Sequence, residues 1–292
     1  MKLGIKIDVD TYRGTREGVP RLAELLRKHG AGATFLFSLG PDHTGRALRR
    51  IFRKDFLKKV SRTSVLEHYG VRTLLYGTLL PGPDIGRRCG DAMRAVREAG
   101  FEVGVHCWDH VRWQDHVLHR DADWTEREME RACGRYAEVF GKAPKTWGAA
   151  GWQLNRHAAW YEELHFAYAS DTRGRGPFRP LWDGVAIGCA QLPTTLPTLD
   201  ELIGLHGDVV QHLLSRSGNG DHVFTAHAEL EGGKLMPMFE ALLAGWKSQG
   251  YELVALEAIH RTLDVARLPR CEVLQGTVPG RSGTLAVQGA EA

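Results

Sequence analysis

Cysteine is scarce in this chain and never paired. The five cysteines (Cys89, Cys107, Cys133, Cys189, Cys271) are scattered, odd in number and without a Cys-x-x-Cys spacing, which argues against a disulfide framework and for a reducing compartment. Long apolar runs are missing too: nothing approaches the roughly 18–20 residues that cross a bilayer. Met1 to Asp10 reads as a strand at once, leaving no room for a signal peptide. Excess charge of one sign is absent, and a net +3 is too small to imply nucleic acid. There is no Gly-rich phosphate loop and no Gly-x-Ser-x-Gly elbow, so kinase and serine-hydrolase chemistry lack support. What remains is 292 residues, 43% hydrophobic and 25% charged, enough for a sizeable core and outside the disordered, collagenous and coiled-coil classes. The expectation is a soluble, cytoplasmic, globular protein with enzyme-like character.

Strand and helix signals alternate. Leu3-Gly4-Ile5-Lys6-Ile7-Asp8 alternates apolar with small or polar residues, and Ala33 to Phe37 is a short apolar strand of the kind covered on both faces. Further strands are expected at Phe101 to His106, Lys145 to Ala149, Phe166 to Ser170, Val185 to Leu192, His222 to His227 and Tyr251 to Leu256. Helical patterns fall at Asp84 to Ala99, Thr125 to Phe140 and Leu235 to Ser248, each followed by a glycine stop. Repeated strand–helix units imply an α/β fold with a parallel sheet, and seven or eight of them favour a barrel over an open doubly wound sheet. One domain over 1–287 is expected, with a disordered tail at 288–292.

Pro41 to Pro83 breaks the rhythm, being too long for a strand–helix connection. Arg46, Arg49, Arg50, Arg53, Lys54, Lys58, Lys59 and Arg62 face a single acid, Asp55, while Leu48, Ile51, Phe52, Phe56 and Val60 fall at helical spacing. An uncharged run, Thr73 to Leu80, follows. The pattern suits an anionic membrane surface, with Ile51, Phe52, Phe56 and Leu79 as contacts. An ordinary packed helix with a solvated basic face reads the same way.

Chemistry gathers at predicted strand ends. Asp8 and Asp10 close the first strand on one side of it, His106 and His110 follow the third, and His227 ends a later one. Barrel active sites collect at the C-terminal ends of strands, so these residues can share one rim. Two imidazoles at i and i+4 converge on a metal ion if the chain turns into a helix there; two structural histidines are the alternative. Cys107 stands where a zincin motif needs Glu. His116 and His119 fall in a polar stretch and read as surface. Together the set is equipment for metal-assisted hydrolysis with a carboxylate base and an imidazole acid.

These residues resemble the polysaccharide deacetylase family. Ile7-Asp8-Val9-Asp10 is similar to its first motif, Ala33 to Phe37 to its second strand, Gly104 to His110 to its His-x-x-x-His motif, and Thr225-Ala226-His227 to the segment with its catalytic histidine. The resemblance implies a distorted (β/α) barrel with the insertion after strand 2. It also implies a divalent ion (zinc, manganese or cobalt) on Asp10, His106 and His110, with Asp8 as base and His227 as acid. The chain departs from the family at 145–152, where no Arg stands to orient the base; Arg173 is a candidate substitute. Residues 7–16, 106–114, 147–153, 170–174 and 227–232 further resemble the deformylases that remove formate from 4-deoxy-4-formamido-L-arabinose on undecaprenyl phosphate in lipid A modification and polymyxin resistance. That likeness implies a lipid-linked sugar as partner, peripheral contact with the cytoplasmic side of the inner membrane, and Trp147, Trp152, Asp171 and Arg173 at the sugar phosphate. A generic N-acetyl-glycan deacetylase and a non-catalytic carbohydrate-binding barrel are the rival readings.

Overall fold

The computed structural model describes residues 1–50 and 70–292, and for 48–50 the backbone alone. Strands are β1 (Lys2–Val9), β2 (Thr34–Ser38), β3 (Glu102–Cys107), β4 (Thr146–Trp147), β5 (Tyr168–Ala169), β6 (Arg179–Trp182), β7 (Val185–Ala186), β8 (Ala190–Gln191), β9 (His222–His227), β10 (Glu252–Val254), β11 (Arg270–Gly276) and β12 (Leu285–Glu291). Seven of them curl into a parallel sheet in the order β9-β1-β2-β3-β4-β5-β8. β10 is an eighth, parallel to the first residues of β1 and just below β2. The two ends of the curl meet without a ladder: the Thr195 and Leu196 N–H groups donate to the Val223 carbonyl at 3.0 and 3.3 Å.

The alternation read in the first segment is the two-faced character of β1. Leu3, Ile5, Ile7 and Val9 are fully buried toward the surrounding helices. Gly4, Lys6 and Asp8 take the other side, as strand geometry demands. A side chain at Gly4 would collide with Leu256 and Ile259 at 2.8 Å, so α10 (Leu256–His260), the last of the helices, plugs the bottom of the curl and leaves its mouth to the polar residues. The other helices among the described residues are α1 (Val19–Lys28), α2 (Val71–Leu75), α3 (Ile85–Glu98), α4 (His110–His116), α5 (Ala122–Phe140), α6 (Arg156–His165), α7 (Leu199–Leu202), α8 (Val209–Arg216) and α9 (Met236–Ser248). α3 is capped by Asp84, whose carboxylate accepts from the Arg87 N–H, and buries Ile85, Cys89, Met93 and Val96. α5 buries Met129, Tyr136 and Phe140 as its pattern predicts.

Two expectations are corrected. The tail is not disordered: β12 pairs antiparallel with β11, with Val273 opposite Gln288 and Cys271 opposite Glu291. Alternate residues of β11 (Cys271, Val273) are buried, and so are Leu285 and Ala286 at the start of β12, burial that the glycine content of the segment disguises. Val185 to Leu192 is not one strand. Val185–Ala186 pairs with β6 in a second sheet, ordered β12-β11-β6-β7, whereas Ala190–Gln191 joins the curl, and Ile187-Gly188-Cys189 makes the crossing. Of the insertion, Ile51, Phe52 and Phe56 lie outside the described residues, while Leu79 is 80% exposed and Val71 66%. No described helix is long and apolar enough to cross a membrane.

Candidate active site

The parallel strands all point their C-terminal ends at one rim. Asp8 and His227 are register partners on β1 and β9, and Asp10 follows one residue beyond β1. His106 is on β3, one strand beyond β2. The chain then turns: Asp109 accepts from the Arg112 N–H and caps α4, whose first residue is His110. The turn brings the two imidazole centroids to 5.4 Å. His106 Nε2 lies 3.2 Å from Asp10 Oδ1 and His110 Nε2 3.4 Å from Asp10 Oδ2.

This trio fits a divalent cation. Its carboxylate oxygen and two imidazole nitrogens lie within 4.8 Å of one another. His106 Nδ1 donates to the Gly148 carbonyl at 2.5 Å. That bond puts the proton on Nδ1 and turns the Nε2 lone pair toward Asp10, the usual outer support of a metal-binding imidazole. A lone pair facing a carboxylate is repulsive unless a proton or a metal ion lies between them. Asp10 Oδ1 and Asp8 Oδ1 are both buried with no hydrogen-bond partner. Burial alone would raise the Asp10 carboxyl, but His110, His106 and His227 outweigh it and hold that carboxyl well below the usual range. Burial would lower His106, and the carboxylates of Asp8 and Asp10 reverse that too. The local field thus favours positive charge at the centre of the trio. One oxygen and two nitrogen donors suit zinc, manganese or cobalt.

Around the trio stand residues that motif reading passed over. Lys6 is wholly buried, with Nζ 3.4 Å from Asp8 Oδ2 and donating to the Ser170 carbonyl at 2.8 Å. It puts a cation beside Asp8 although no arginine stands at 145–152; its signal is its place two residues before Asp8 on the inward face. Glu229 is buried behind the loop that follows β1. Its Oε1 accepts from the Asp10 N–H (3.0 Å), the Thr11 N–H (2.8 Å) and the Thr11 hydroxyl (2.8 Å). Burial and the nearby Asp10 charge push its carboxyl well above the usual range. Glu231 accepts the His227 N–H at 2.7 Å.

The expected sugar-phosphate residues are distributed differently. Trp147 is fully buried, with ring centroids 5.3 Å from Trp113 and 5.9 Å from Phe166; it belongs to the core, because β4 turns that side chain toward the helices. Asp171 is also fully buried, accepting from the Ala149 N–H at 2.5 Å and from Gln191 at 2.6 Å, and is a strut of the rim. Arg173 does not reach Asp8. Its guanidinium forks onto Glu201 at 2.5 and 3.2 Å and donates to the Leu196 carbonyl. Trp152 does border the site, its ring edge-on to His227 at 6.1 Å. The Cys107 thiol is buried, which pushes it well above the usual range and makes it inert. His116 and His119 are exposed.

A curled parallel sheet with a two-histidine, one-carboxylate rim flanked by a second carboxylate and an imidazole defines a class of hydrolases. Residues 7–169 match the polysaccharide deacetylase family, and the chain belongs to it. It is a hydrolase of amide C–N bonds. The chain is 36% identical, over 98% of its length and 94% of the relative's, to a protein of Shewanella sediminis named probable 4-deoxy-4-formamido-L-arabinose-phosphoundecaprenol deformylase ArnD. It is 29% identical to a protein of the same name from Wigglesworthia glossinidia brevipalpis, covering 94% of this chain and 98% of that one. Among solved structures, a putative polysaccharide deacetylase from Mycobacterium smegmatis superposes with a TM-score of 0.61 at 15% identity, covering 95% of each chain. A probable polysaccharide deacetylase from Pseudomonas aeruginosa gives 0.58 at 15% identity, covering 89% of this chain and 90% of that one. These two likenesses establish the fold.

Proposed function

We propose that the protein is a metal-dependent N-deformylase acting on a 4-formamido-arabinose carried on undecaprenyl phosphate, as the names of its relatives suggest. One observation carries the catalytic part: a base, an acid and three converging ligands share one rim, with Asp8 and His227 side by side on β1 and β9. Asp10, His106 and His110 hold the ion, which when bound supplies positive charge for the formyl oxygen and lowers the pKa of water toward about 7. Asp8 Oδ1, unpartnered and 3.8 Å from His106, accepts the proton of the attacking water, while Lys6 fixes the other oxygen. His227 protonates the 4-amino group as the C–N bond breaks, a requirement of amide cleavage because an amide anion leaves poorly. Formate and the free amine are the products.

A C55 isoprenoid stays in the bilayer, so the enzyme must work at its surface. The basic stretch of 46–62 and the exposed Val71 and Leu79 support a contact between the insertion and the anionic cytoplasmic face of the inner membrane. The lipid A aminoarabinose pathway, and through it polymyxin resistance, is the setting this substrate implies.

The test is a substrate panel with and without chelator. Formate release from the lipid-linked formamido sugar, abolished by chelation and restored by zinc, manganese or cobalt, is expected. Acetate release from N-acetyl glycans without formate release would overturn the substrate, and full deformylation in strong chelator would overturn the metal.

A further inference from the structure

One indole is bonded to the seam between β8 and β9. Trp152 is 2% exposed, and its φ of +53° lies in the left-handed region, where a bulky residue is strained and persists only if its surroundings hold it. Its Nε1–H donates to the Thr194 hydroxyl at 3.1 Å, and that hydroxyl lies 2.6 Å from Thr225, two residues before His227 on β9. Two guanidinium groups stack on the ring, Arg281 with Cζ 4.6 Å from the centroid and Arg173 with Cζ 5.1 Å. Glu201, itself 2% exposed, binds both, accepting from Arg281 Nε at 2.9 Å as well as from the Arg173 fork. Arg281 comes from the hairpin between β11 and β12, outside the segment that matches the family.

His227 lacks the usual device for orienting an imidazole. Its Nδ1 is buried and makes no hydrogen bond, so no carboxylate or carbonyl fixes the ring through that nitrogen. Packing must set its angle, and Trp152 meets it at 76°.

We propose that Trp152 is the positioning residue for His227 and that Arg281, delivered by the C-terminal hairpin and tied down by Glu201, is the clamp that holds Trp152 against it. This rests on reading His227 as the proton donor. The strained indole is over-determined: Thr194, Arg173, Arg281 and the ring it supports all bear on it, and the Lys6 ammonium lies 5.4 Å from its centroid. Loss of the outer guanidinium lets the indole tilt. A misplacement of about 1 Å at a proton-transfer partner costs on the order of 100-fold in rate.

The experiment uses the full-length enzyme with two formamides, the natural alkyl amine type and an aryl amine analogue whose leaving group needs little protonation. Arg281→Ala is expected to lower kcat roughly 10- to 100-fold on the alkyl substrate with KM within about twofold. On the aryl substrate the loss should shrink several-fold. Arg281→Lys, or free guanidinium added to Arg281→Ala, should restore part of the rate; if the alanine variant does not fold by circular dichroism, Arg281→Met replaces it. A raised KM at unchanged kcat would make Arg281 a substrate contact and overturn the proposal. An equal loss on both substrates, or no loss, would do the same. His227→Ala is the reference: if it too loses equally on both substrates, the proton-donor reading has failed and takes the clamp with it. If it discriminates and Arg281→Ala does not, the clamp alone has failed.

Discussion

Replacing Glu229 separates its role as a hydrogen-bond acceptor from its charge. One oxygen receives the N–H groups of Asp10 and Thr11 and the Thr11 hydroxyl, and the side chain is 7% exposed. Glu229→Ala strips the acceptor from two buried backbone donors at about 1–3 kcal/mol each. The Thr11 hydroxyl loses the acceptor of its own proton but keeps the Gly14 N–H that it accepts. The expected destabilisation is about 2–6 kcal/mol, a large part of a typical 5–15 kcal/mol, visible as a fall in Tm of roughly 4–12 °C at about 2 °C per kcal/mol. Metal affinity should fall about 10- to 100-fold, as it does when a ligand's outer support is removed, because Asp10 loses the anchor of its own backbone. Glu229→Gln keeps a carbonyl oxygen in the same place. Since the native carboxyl is pushed well above the usual range, the amide mimics its protonated form, and both losses should disappear. Thermal unfolding and calorimetric titration with zinc read the two effects. An alanine variant within 0.5 kcal/mol of the parent, or a glutamine variant as damaged as the alanine one, would refute the acceptor argument.

Three further outcomes are expected. Asp8→Asn and His227→Ala, folded and still binding metal, should each lower turnover by on the order of 10²–10⁴; near-parental formate release would remove that residue from the chemistry. Burial pushes the Glu231 carboxyl from its ordinary value up to about 8, despite the His227 N–H it accepts, so the folded state holds a proton that the unfolded chain releases near pH 4.5. That contribution is complete below about pH 4.5 and is lost as pH rises toward 8, at about 1.4 kcal/mol per unit. Glu231→Gln should flatten the decline in denaturant-unfolding stability over that window, and an unchanged slope would assign it to other groups. At the insertion, Leu79→Asp should weaken flotation with anionic vesicles while leaving hydrolysis of a soluble analogue intact; an enzyme that does not float with such vesicles has no membrane contact to weaken.

Legibility followed backbone periodicity. β1, β2, β3 and β9 were plain because each has an apolar face that the helices bury, and the site residues fell at their ends for the same reason. The short strands β4, β5 and β8, two residues each, were overestimated: apolar runs around them continue into buried loops, and composition does not mark where the ladder stops. The error at Trp147 was one of parity. In Trp147-Gly148 a shift of a single residue decides which side chain faces the mouth, and Gly148 takes the inward place, where a side chain would meet Leu36 at 2.3 Å. Arg281 was out of reach because its hairpin meets Trp152 through contacts more than a hundred residues apart in sequence, which no local pattern encodes. Glu201 was hidden likewise inside an ordinary capping box with Thr198.

The charges inside the mouth give a physical reason for the arrangement of the proposed ligand trio. Asp8 and Asp10 are carboxylates two residues apart, and the fully buried cation described beside them, Lys6, approaches Asp8 at 3.4 Å and not Asp10. A buried carboxylate without a partner takes up a proton, and a protonated Asp10 would be a poor ligand. Asp10 is instead held ionised by His110, His106 and His227, the first two of which can release their own protons as a metal ion arrives. The Gly148 carbonyl commits His106 to the tautomer that makes this exchange direct. Asp8, with its ammonium partner, needs no such exchange and keeps one oxygen open. Under the proposed function, the division of labour between two nearly identical aspartates comes from their neighbours: a fixed cation suits one to act as base, and titratable rings suit the other to act as ligand.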